Sequence, residues 1–286
     1  MSEVLQVLSK LAVLTFVLTS MIGMGLSLTV AQVAGPLRHV GLVVRSLVAN
    51  FVVVPVAGFA ILALLPLDDP LAIGLILLST AAGAPFLPKL VQVAKGDVAF
   101  SVGLMVLLMV VTVAYVPLVL PLLLPGVEVA PGDIAGSLIV LMLFPLAAGL
   151  AVRARYPGIA ATVQPMMAQT SSTALILLLV LMVVQSFDAI VGIIGTGALV
   201  ALLLLIAVGF AGGYLLGGPG IGTRGVLALG TAQRNISAAL VVGAQNFPDP
   251  DVVVMLLVGA LLMLVGLMVV SGELARRAGR TAQATP

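Results

Sequence analysis

Residues 98–127 read VAFSVGLMVLLMVVTVAYVPLVLPLLLPGV, a run without a charged side chain between Asp97 and Glu128. A helix needs about 20 consecutive apolar residues to cross the hydrocarbon core of a bilayer, so this run is long enough to span a membrane. Its apolar residues are continuous and lack the inward and outward alternation of an outer-membrane barrel. The stretch therefore predicts a transmembrane α-helix.

The rest of the chain repeats this pattern. Of the 286 residues, 62% are hydrophobic and 8% are charged, whereas soluble domains contain about 25% charged residues. Long runs between neighbouring charges, and one span interrupted by Arg234, predict an all-α polytopic membrane protein with about nine transmembrane helices. We place these spans at residues 5–28, 40–65, 70–94, 98–124, 132–153, 162–186, 189–216, 224–247 and 251–273.

The signs of the loop charges predict the orientation of the chain. Lys and Arg are enriched in cytoplasmic loops, and basic and acidic connections alternate here. We therefore predict a multi-pass protein of the cell inner (plasma) membrane with an external amino terminus and a cytoplasmic carboxyl terminus. The basic connections contain Arg38, Lys95, Arg153, Arg155, Arg224 and the tail 276–286, and the acidic ones contain Asp68, Asp69, Glu128, Asp133, Asp188, Asp249 and Asp251.

Two basic residues fall well inside predicted spans. Lys89 follows Pro85 and Pro88, and each proline removes a backbone donor and interrupts the helix. Arg234 lies in GTAQRNIS, residues 230–237, a polar segment that begins at Gly230 within an apolar span. A charge at the centre of a span costs about 2.5–3.5 kcal/mol on insertion scales, so both cations indicate a functional site. Broken helices at this depth are buried in protein or line a cavity.

The two interrupted spans occupy corresponding places in two halves of the chain. We treat residues 1–286 as one membrane domain with half-repeats at 1–125 and 130–275 and a cytoplasmic tail at 276–286. In the predicted topology, span three runs inward and span eight runs outward, which is the geometry of an inverted repeat. Broken helices at matching positions of two inverted halves are the sequence sign of a transporter binding site.

Four motifs resemble the bile acid:sodium symporter (BASS) family. They are MGLSLT at residues 24–29, NFVVVP at 50–55, AKGDVA at 94–99 and QRNISAAL at 233–240. Their order and spacing extend over nearly the whole chain. The resemblance implies a secondary transporter of a small organic anion, with a panel domain and a core domain and with alternating access. Two discontinuous helices, here spans three and eight, would cross at the substrate and sodium sites.

The chain departs from this family where its members bind sodium. The resemblance places the Ser-Asn pair of the family at Leu87 and Pro88, whose side chains carry no oxygen, and its Glu at Gly230. Arg234 stands where the family has Gln. Hard cations such as sodium prefer oxygen ligands, so these losses put sodium coupling in doubt, and a proton-coupled or uncoupled carrier is the alternative. The remaining ion-site residues implied by the resemblance are Asn50, Ser101, Gln233 and Asn235.

Lys89 and Arg234 place fixed positive charges where the two helices would cross, and we predict that they replace the sodium ions. Such cations neutralise the carbonyl ends of half-helices and attract an anion, and a guanidinium suits a bidentate grip on a carboxylate. Lys89 can lose its proton if it is desolvated; alternatively, it extends to the inner interface near Lys95. The predicted substrate-binding residues are Lys89, Thr231, Gln233, Arg234 and Asn235.

Other functions have less support in the sequence. We do not expect an enzyme, because the chain has one histidine, His39, no cysteine, and carboxylates only at the ends of the predicted spans or outside them. No cofactor beyond a coupling Na⁺, and no nucleic acid partner, is indicated. A channel or a sensory membrane module is the alternative class, and the sequence leaves oligomeric state open. The hydroxyl-rich segment QTSST at residues 169–173 has two interpretations, a wall of the substrate cavity and a helix-packing surface, and the packing surface is favoured.

Overall fold

The structure, a computed structural model, describes residues 2–35, 39–123, 131–185 and 191–283. Within these ranges the chain is helical and contains no strand, so the all-α prediction is confirmed. The helices are α1 (Ser2–Ser27), α2 (Val30–Ala34), α3 (Val40–Leu64), α4 (Asp69–Thr80), α5 (Leu87–Val93), α6 (Val98–Leu123), α7 (Pro131–Arg155), α8 (Pro157–Gln185), α9 (Ala198–Leu216), α10 (Ile221–Ala232), α11 (Ile236–Asn246) and α12 (Pro250–Gln283).

Seven helical segments of the described residues, with α10 and α11 counted together as one, are long and apolar enough to cross a membrane. They coincide with predicted spans one, two, four, five, seven, eight and nine. Predicted span three is divided into α4 and α5, and predicted span six coincides with α8 as far as Gln185, the last described residue of that helix. The count of nine spans and the orientation of the chain remain predictions. The orientation was argued partly from the charges of Arg38, Glu128 and Asp188, which lie outside the described residues. Residues 284–286 of the predicted tail also lie outside them.

Two of the long helices contain a π-helical turn just before a proline. The turn covers Ala49–Val53 in α3, before Pro55, and Ile139–Leu143 in α7, before Pro145. A proline has no N–H for the carbonyl one turn earlier and its ring needs space, which a wider turn provides. In α3 this turn contains Asn50, a fully buried residue of the site described below.

Two helix boundaries differ from the prediction. In the described part of the helix expected over residues 189–216, a turn at residues 193–197 separates α9, which begins at Ala198, from residues 191–192, because Gly195 and Gly197 have φ values of 116° and 87°, which a right-handed helix does not allow. At the other end of the chain, α12 continues past residue 273 to Gln283. An ion pair of 3.0 Å between Glu273 and Arg277, one turn apart, supports this extension.

Apart from the short α2, which packs against α6, the helices pack in two groups. In the first group α1 packs against both α7 and α8, and the close contact with α7 depends on Gly25 and Gly149, where an added Cβ would collide with the facing backbone. The second group contains α3 to α6 and α9 to α12. There, Gly209 of α9 lets that helix approach α10, since a Cβ at this position would lie 3.0 Å from the carbonyl oxygen of Thr231. The broken helices belong to the second group.

Candidate functional site: two broken helices beside a cavity

Both segments that were predicted to be interrupted are divided in the structure. Residues 81–86 separate α4 from α5, and residues 233–235 separate α10 from α11. Pro85 lies in the first of these connections. Pro88 lies instead in the first turn of α5, where its missing N–H is tolerated. Gly230 lies in the last turn of α10, just before the break, and a Cβ there would come to 3.0 Å from Leu87, so this glycine permits close packing against α5.

Asn235 joins the two breaks. Its backbone N–H donates to the carbonyl oxygen of Ala81 at 2.9 Å. Its side-chain amide donates to the carbonyl oxygens of Ala82 and Gly83 at 3.2 and 2.9 Å. The side-chain oxygen accepts the backbone N–H of Ala238 at 3.0 Å, so Asn235 is also the N-cap of α11. One fully buried residue therefore starts the second half-helix and satisfies the backbone of the first break.

The first break also rests on α6. The hydroxyl of Thr112 accepts the N–H of Ala82 at 2.9 Å and donates to the carbonyl oxygen of the same residue at 3.0 Å. Gly83 has a φ of 82°, and a Cβ there would collide with the backbone of Met109. Sequence reasoning missed Thr112, although it is a polar side chain in the middle of the apolar run 98–127.

Arg234 lies at the centre of the site with 1% of its surface exposed. Its Nε donates to the carbonyl oxygen of Leu78 at 2.9 Å, and one terminal nitrogen donates to Asn50 Oδ1 at 2.8 Å and to the carbonyl oxygen of Thr231 at 3.1 Å. The other terminal nitrogen donates to the carbonyl oxygens of Ser79 and Asn50 at 2.9 and 3.4 Å. We call these five acceptors the oxygen cluster.

The position of the oxygen cluster explains why a cation is stable there. Leu78 and Ser79 belong to the last turn of α4, and Thr231 belongs to the last turn of α10. The last carbonyls of a helix have no partner within it and carry the negative end of the helix dipole. Arg234 supplies the missing donors to both half-helices. A guanidinium has five N–H donors, so Arg234 has none left for a substrate carboxylate in this arrangement.

The structure brings Asn50 and Thr231 to Arg234 but leaves Ser101 apart from the oxygen cluster. The amide of Asn50 donates to the hydroxyl of Thr231 at 3.2 Å and to the carbonyl oxygen of Ser46 at 3.0 Å, which fixes the side-chain oxygen toward Arg234. The hydroxyl of Ser101 is buried and donates to the carbonyl oxygen of Val98 at 2.6 Å, within the first turn of α6.

A cavity of about 760 Å³ adjoins both breaks and extends to α1 and α8 of the first helix group. Gln233 and Ser237 line it and are 6% and 1% exposed. Gln233 Oε1 and Ser237 Oγ have no hydrogen-bond partner within the part of the chain that the structure describes. Lys89 also lines the cavity; it is exposed, and its Nζ donates to Gln92 Oε1 at 3.2 Å.

The wall opposite the breaks is mostly apolar but includes hydroxyl groups. Ser171 and Ser172 line the cavity, which was the less favoured of the two interpretations of residues 169–173. Ser171 does pack, because its hydroxyl donates to the carbonyl oxygen of Phe16 in α1 at 3.4 Å. The hydroxyl of Ser172 donates within α8, to Ala168 at 2.9 Å. Apolar side chains of this cavity include Phe16, Met24, Met105, Leu175, Ile176 and Leu264.

These features define a multi-pass helical membrane protein in which two discontinuous helices meet beside a cavity. The chain belongs to the Sodium Bile acid symporter family, because the sequence model of that family matches residues 13–193. The resemblance stated from the motifs is thereby confirmed.

Three relatives show the same affiliation. The uncharacterized sodium-dependent transporter YocS of Bacillus subtilis (strain 168) is 29% identical over 138 residues, 46% of this chain and 42% of YocS. The probable sodium/metabolite cotransporters BASS2 and BASS1, chloroplastic, of Oryza sativa subsp. japonica are 33% identical over 140 residues and 26% identical over 247 residues. These matches cover 48% and 85% of this chain but 33% and 60% of the rice proteins. The chain thus spans less than two thirds of each relative.

Proposed function

We propose that this protein is a secondary transporter of a small organic anion. The observation that carries the proposal is the cavity beside the two breaks, lined by an exposed cation, Lys89, and by two buried, unpaired acceptors, Gln233 Oε1 and Ser237 Oγ. Buried polar atoms without a partner cost free energy unless a ligand or water satisfies them. The cavity therefore offers a positive charge and two polar contacts to a molecule that enters it.

The chemistry of the cavity fits an amphipathic carboxylate. The ammonium group of Lys89 suits the carboxylate, and a hydroxyl or amide N–H of the substrate suits Gln233 Oε1. The apolar wall suits the carbon skeleton, and a volume of about 760 Å³ lies within the range of ligand sites, about 300–1,000 Å³. Thr231, Asn235 and Arg234 stabilise the two breaks beside the cavity, since their polar atoms form hydrogen bonds there.

In this proposal the first helix group, α1, α7 and α8, is the panel domain, and the second group is the core domain. Movement between the two groups exposes the cavity to one side of the membrane and then to the other. Nine spans, with the amino terminus outside and the carboxyl terminus in the cytoplasm, complete the proposed topology. The relatives are named as sodium-dependent or sodium/metabolite transporters; for this chain a proton-coupled or uncoupled carrier is the alternative.

Counter-flow in proteoliposomes tests the transport proposal. Vesicles loaded with one unlabelled carboxylate from a panel are diluted into the same labelled compound, and a carrier shows transient, saturable accumulation. A channel shows only equilibration. We expect Lys89→Gln to lower uptake at least tenfold, whereas Lys95→Gln, six residues along the chain and outside the cavity lining, leaves it unchanged. Normal uptake by Lys89→Gln would contradict the assigned role of Lys89.

The absence of cysteine from the chain allows a direct test of access. Ser237→Cys places a thiol on the cavity wall, and we expect a water-soluble thiol reagent to label it and a transported anion to slow the labelling. Ser46→Cys is the matched control, because Ser46 is equally buried but does not line the cavity. Equal reactivity of the two variants, or labelling that no substrate alters, would argue against the cavity as the substrate site.

A further inference from the structure

We infer that Arg234 is a built-in cation that permanently fills the oxygen cluster, so that no sodium ion binds there. The family name implies sodium, a hard cation that prefers oxygen ligands. Five oxygen atoms, the kind of ligand that a metal cation takes, surround the guanidinium, and each of them already accepts a hydrogen bond from it.

The identity of the acceptors shows that the site is built for a positive charge. Four of them are main-chain carbonyl oxygens and the fifth is the amide oxygen of Asn50; none is a carboxylate. Neutral oxygens cannot form an ion pair, so the charge of Arg234 is stabilised by the carbonyl ends of α4 and α10. A hard cation is stabilised by the same kind of ligand. Arg234 and a metal ion would therefore compete for one site.

The guanidinium excludes a second cation by charge and by space. Arg234 is 1% exposed, and the residues that accept its hydrogen bonds, Asn50, Leu78, Ser79 and Thr231, are fully buried. An ion that reached the cluster would share its oxygen atoms with a fixed positive charge a few ångströms away, in surroundings that screen charge weakly. Because Arg234 is covalently attached, it also cannot leave during a transport cycle. Uptake should then be independent of a sodium gradient, a consequence that rests on the proposed function.

Thermal unfolding tests the ion-site inference without any substrate or transport assay. The purified protein is heated in sodium chloride or in choline chloride at equal ionic strength, and unfolding is followed by far-UV circular dichroism. We expect the wild type to have the same Tm in both salts. In Arg234→Ala the oxygen cluster loses its donors, and we expect a Tm about 10 °C lower, because a buried network is broken.

Chemical rescue identifies the lost group. Arg234 lines the cavity, so the space that Arg234→Ala vacates is reachable from it. We expect guanidinium at millimolar concentration to raise the Tm of this variant by about 5 °C, and sodium to raise it relative to choline. Arg224→Ala is the control, since Arg224 also donates to a main-chain oxygen, that of Gly218 at 2.6 Å, but lies outside the oxygen cluster. Guanidinium should not stabilise that variant.

Two results would overturn the inference. One is a sodium-specific rise in the Tm of the wild type, which would show an ion site in spite of Arg234. The other is a folded Arg234→Ala variant whose Tm responds to neither guanidinium nor sodium. If Arg234→Ala does not fold, Arg234→Lys keeps the charge with fewer donors, and we expect it to fold with a lower Tm that remains insensitive to sodium; a sodium response of this variant would also contradict the inference. All of these outcomes are independent of whether the protein transports an anion.

Discussion

The two broken helices differ in what they contribute to the site. The first break covers residues 81–86, and its main-chain oxygens, notably those of Ala82 and Gly83, accept hydrogen bonds. The second break, residues 233–235, is shorter and carries the donor side chains, those of Arg234 and Asn235. Acceptors from one half of the chain thus meet donors from the other half.

This asymmetry shows how unwound backbone is kept inside a membrane protein. Free main-chain groups at membrane depth are costly and must find partners in protein or in a cavity. The first break cannot satisfy itself, because Pro85 and the left-handed Gly83 prevent a helix from continuing. The second break supplies the partners. The difference can be tested by removing the special backbone of the first break, the donors of the second, and finally the support from α6.

The largest effect is expected from Gly83→Ala. An alanine at φ 82° adopts a conformation that costs about 1–2 kcal/mol, and its Cβ would collide with the backbone of Met109. Overpacking adds about 1–3 kcal/mol, so we expect a loss of stability of about 4 kcal/mol and a markedly lower Tm. Gly266→Ala is the control, because nothing lies within 4 Å of the Cβ position at Gly266. Equal Tm values for both variants would refute this account of the first break.

A smaller loss is expected when the second break loses a donor. Asn235→Ala removes an N-cap, worth about 1 kcal/mol, and leaves the carbonyl oxygens of Ala82 and Gly83 with fewer donors. We expect about 3 kcal/mol of destabilisation in total, measured as a Tm shift. Asn246→Ala, at the far end of the same α11, removes only a hydrogen bond of 2.8 Å to Val242 and should change the Tm little. If Asn246→Ala is the more damaging variant, Asn235 does not join the breaks.

The fold was predictable in those segments where the need for an apolar surface in lipid determines the structure. Charge-free runs such as residues 98–127 predict membrane helices because burial in lipid leaves few alternatives. The late start of α9 and the extension of α12 were not predicted. The first depends on Gly195 and Gly197, whose left-handed conformations a hydropathy pattern does not show. The second is a polar continuation of the helix, along which Glu273 pairs with Arg276 and Arg277, and the end of an apolar run does not show where such a helix stops.

The candidate site was predictable in its unusual residues but not in their partners. Arg234 and Asn235 were notable because polar residues in an apolar span are costly, and both lie at the second break. Their acceptors are mainly main-chain oxygens, and a sequence does not reveal which carbonyls become free when a helix ends. Thr112 was missed for a related reason, since a single hydroxyl in an apolar helix usually bonds within its own helix. Ser101, which the resemblance added, does so.

The smallest of the three effects is expected from Thr112→Val, which keeps the shape of the side chain and removes its hydroxyl. The N–H of Ala82 then loses its acceptor, whereas the carbonyl oxygen of Ala82 keeps the amide of Asn235. We therefore expect a loss of about 1–2 kcal/mol, below that of Asn235→Ala. Thr162→Val is the control, because the hydroxyl of Thr162 is exposed and bonds only within α8.

Combining Thr112→Val with Asn235→Ala sharpens the comparison between the breaks. In the double variant the carbonyl oxygen of Ala82 loses both the hydroxyl of Thr112 and the amide of Asn235. Two residues that satisfy the same buried group are coupled, so their effects on stability should not add. We expect the double variant to be less stable than the sum of the single losses predicts, by about 1 kcal/mol. Simple additivity would mean that α6 and the second break support the first break independently.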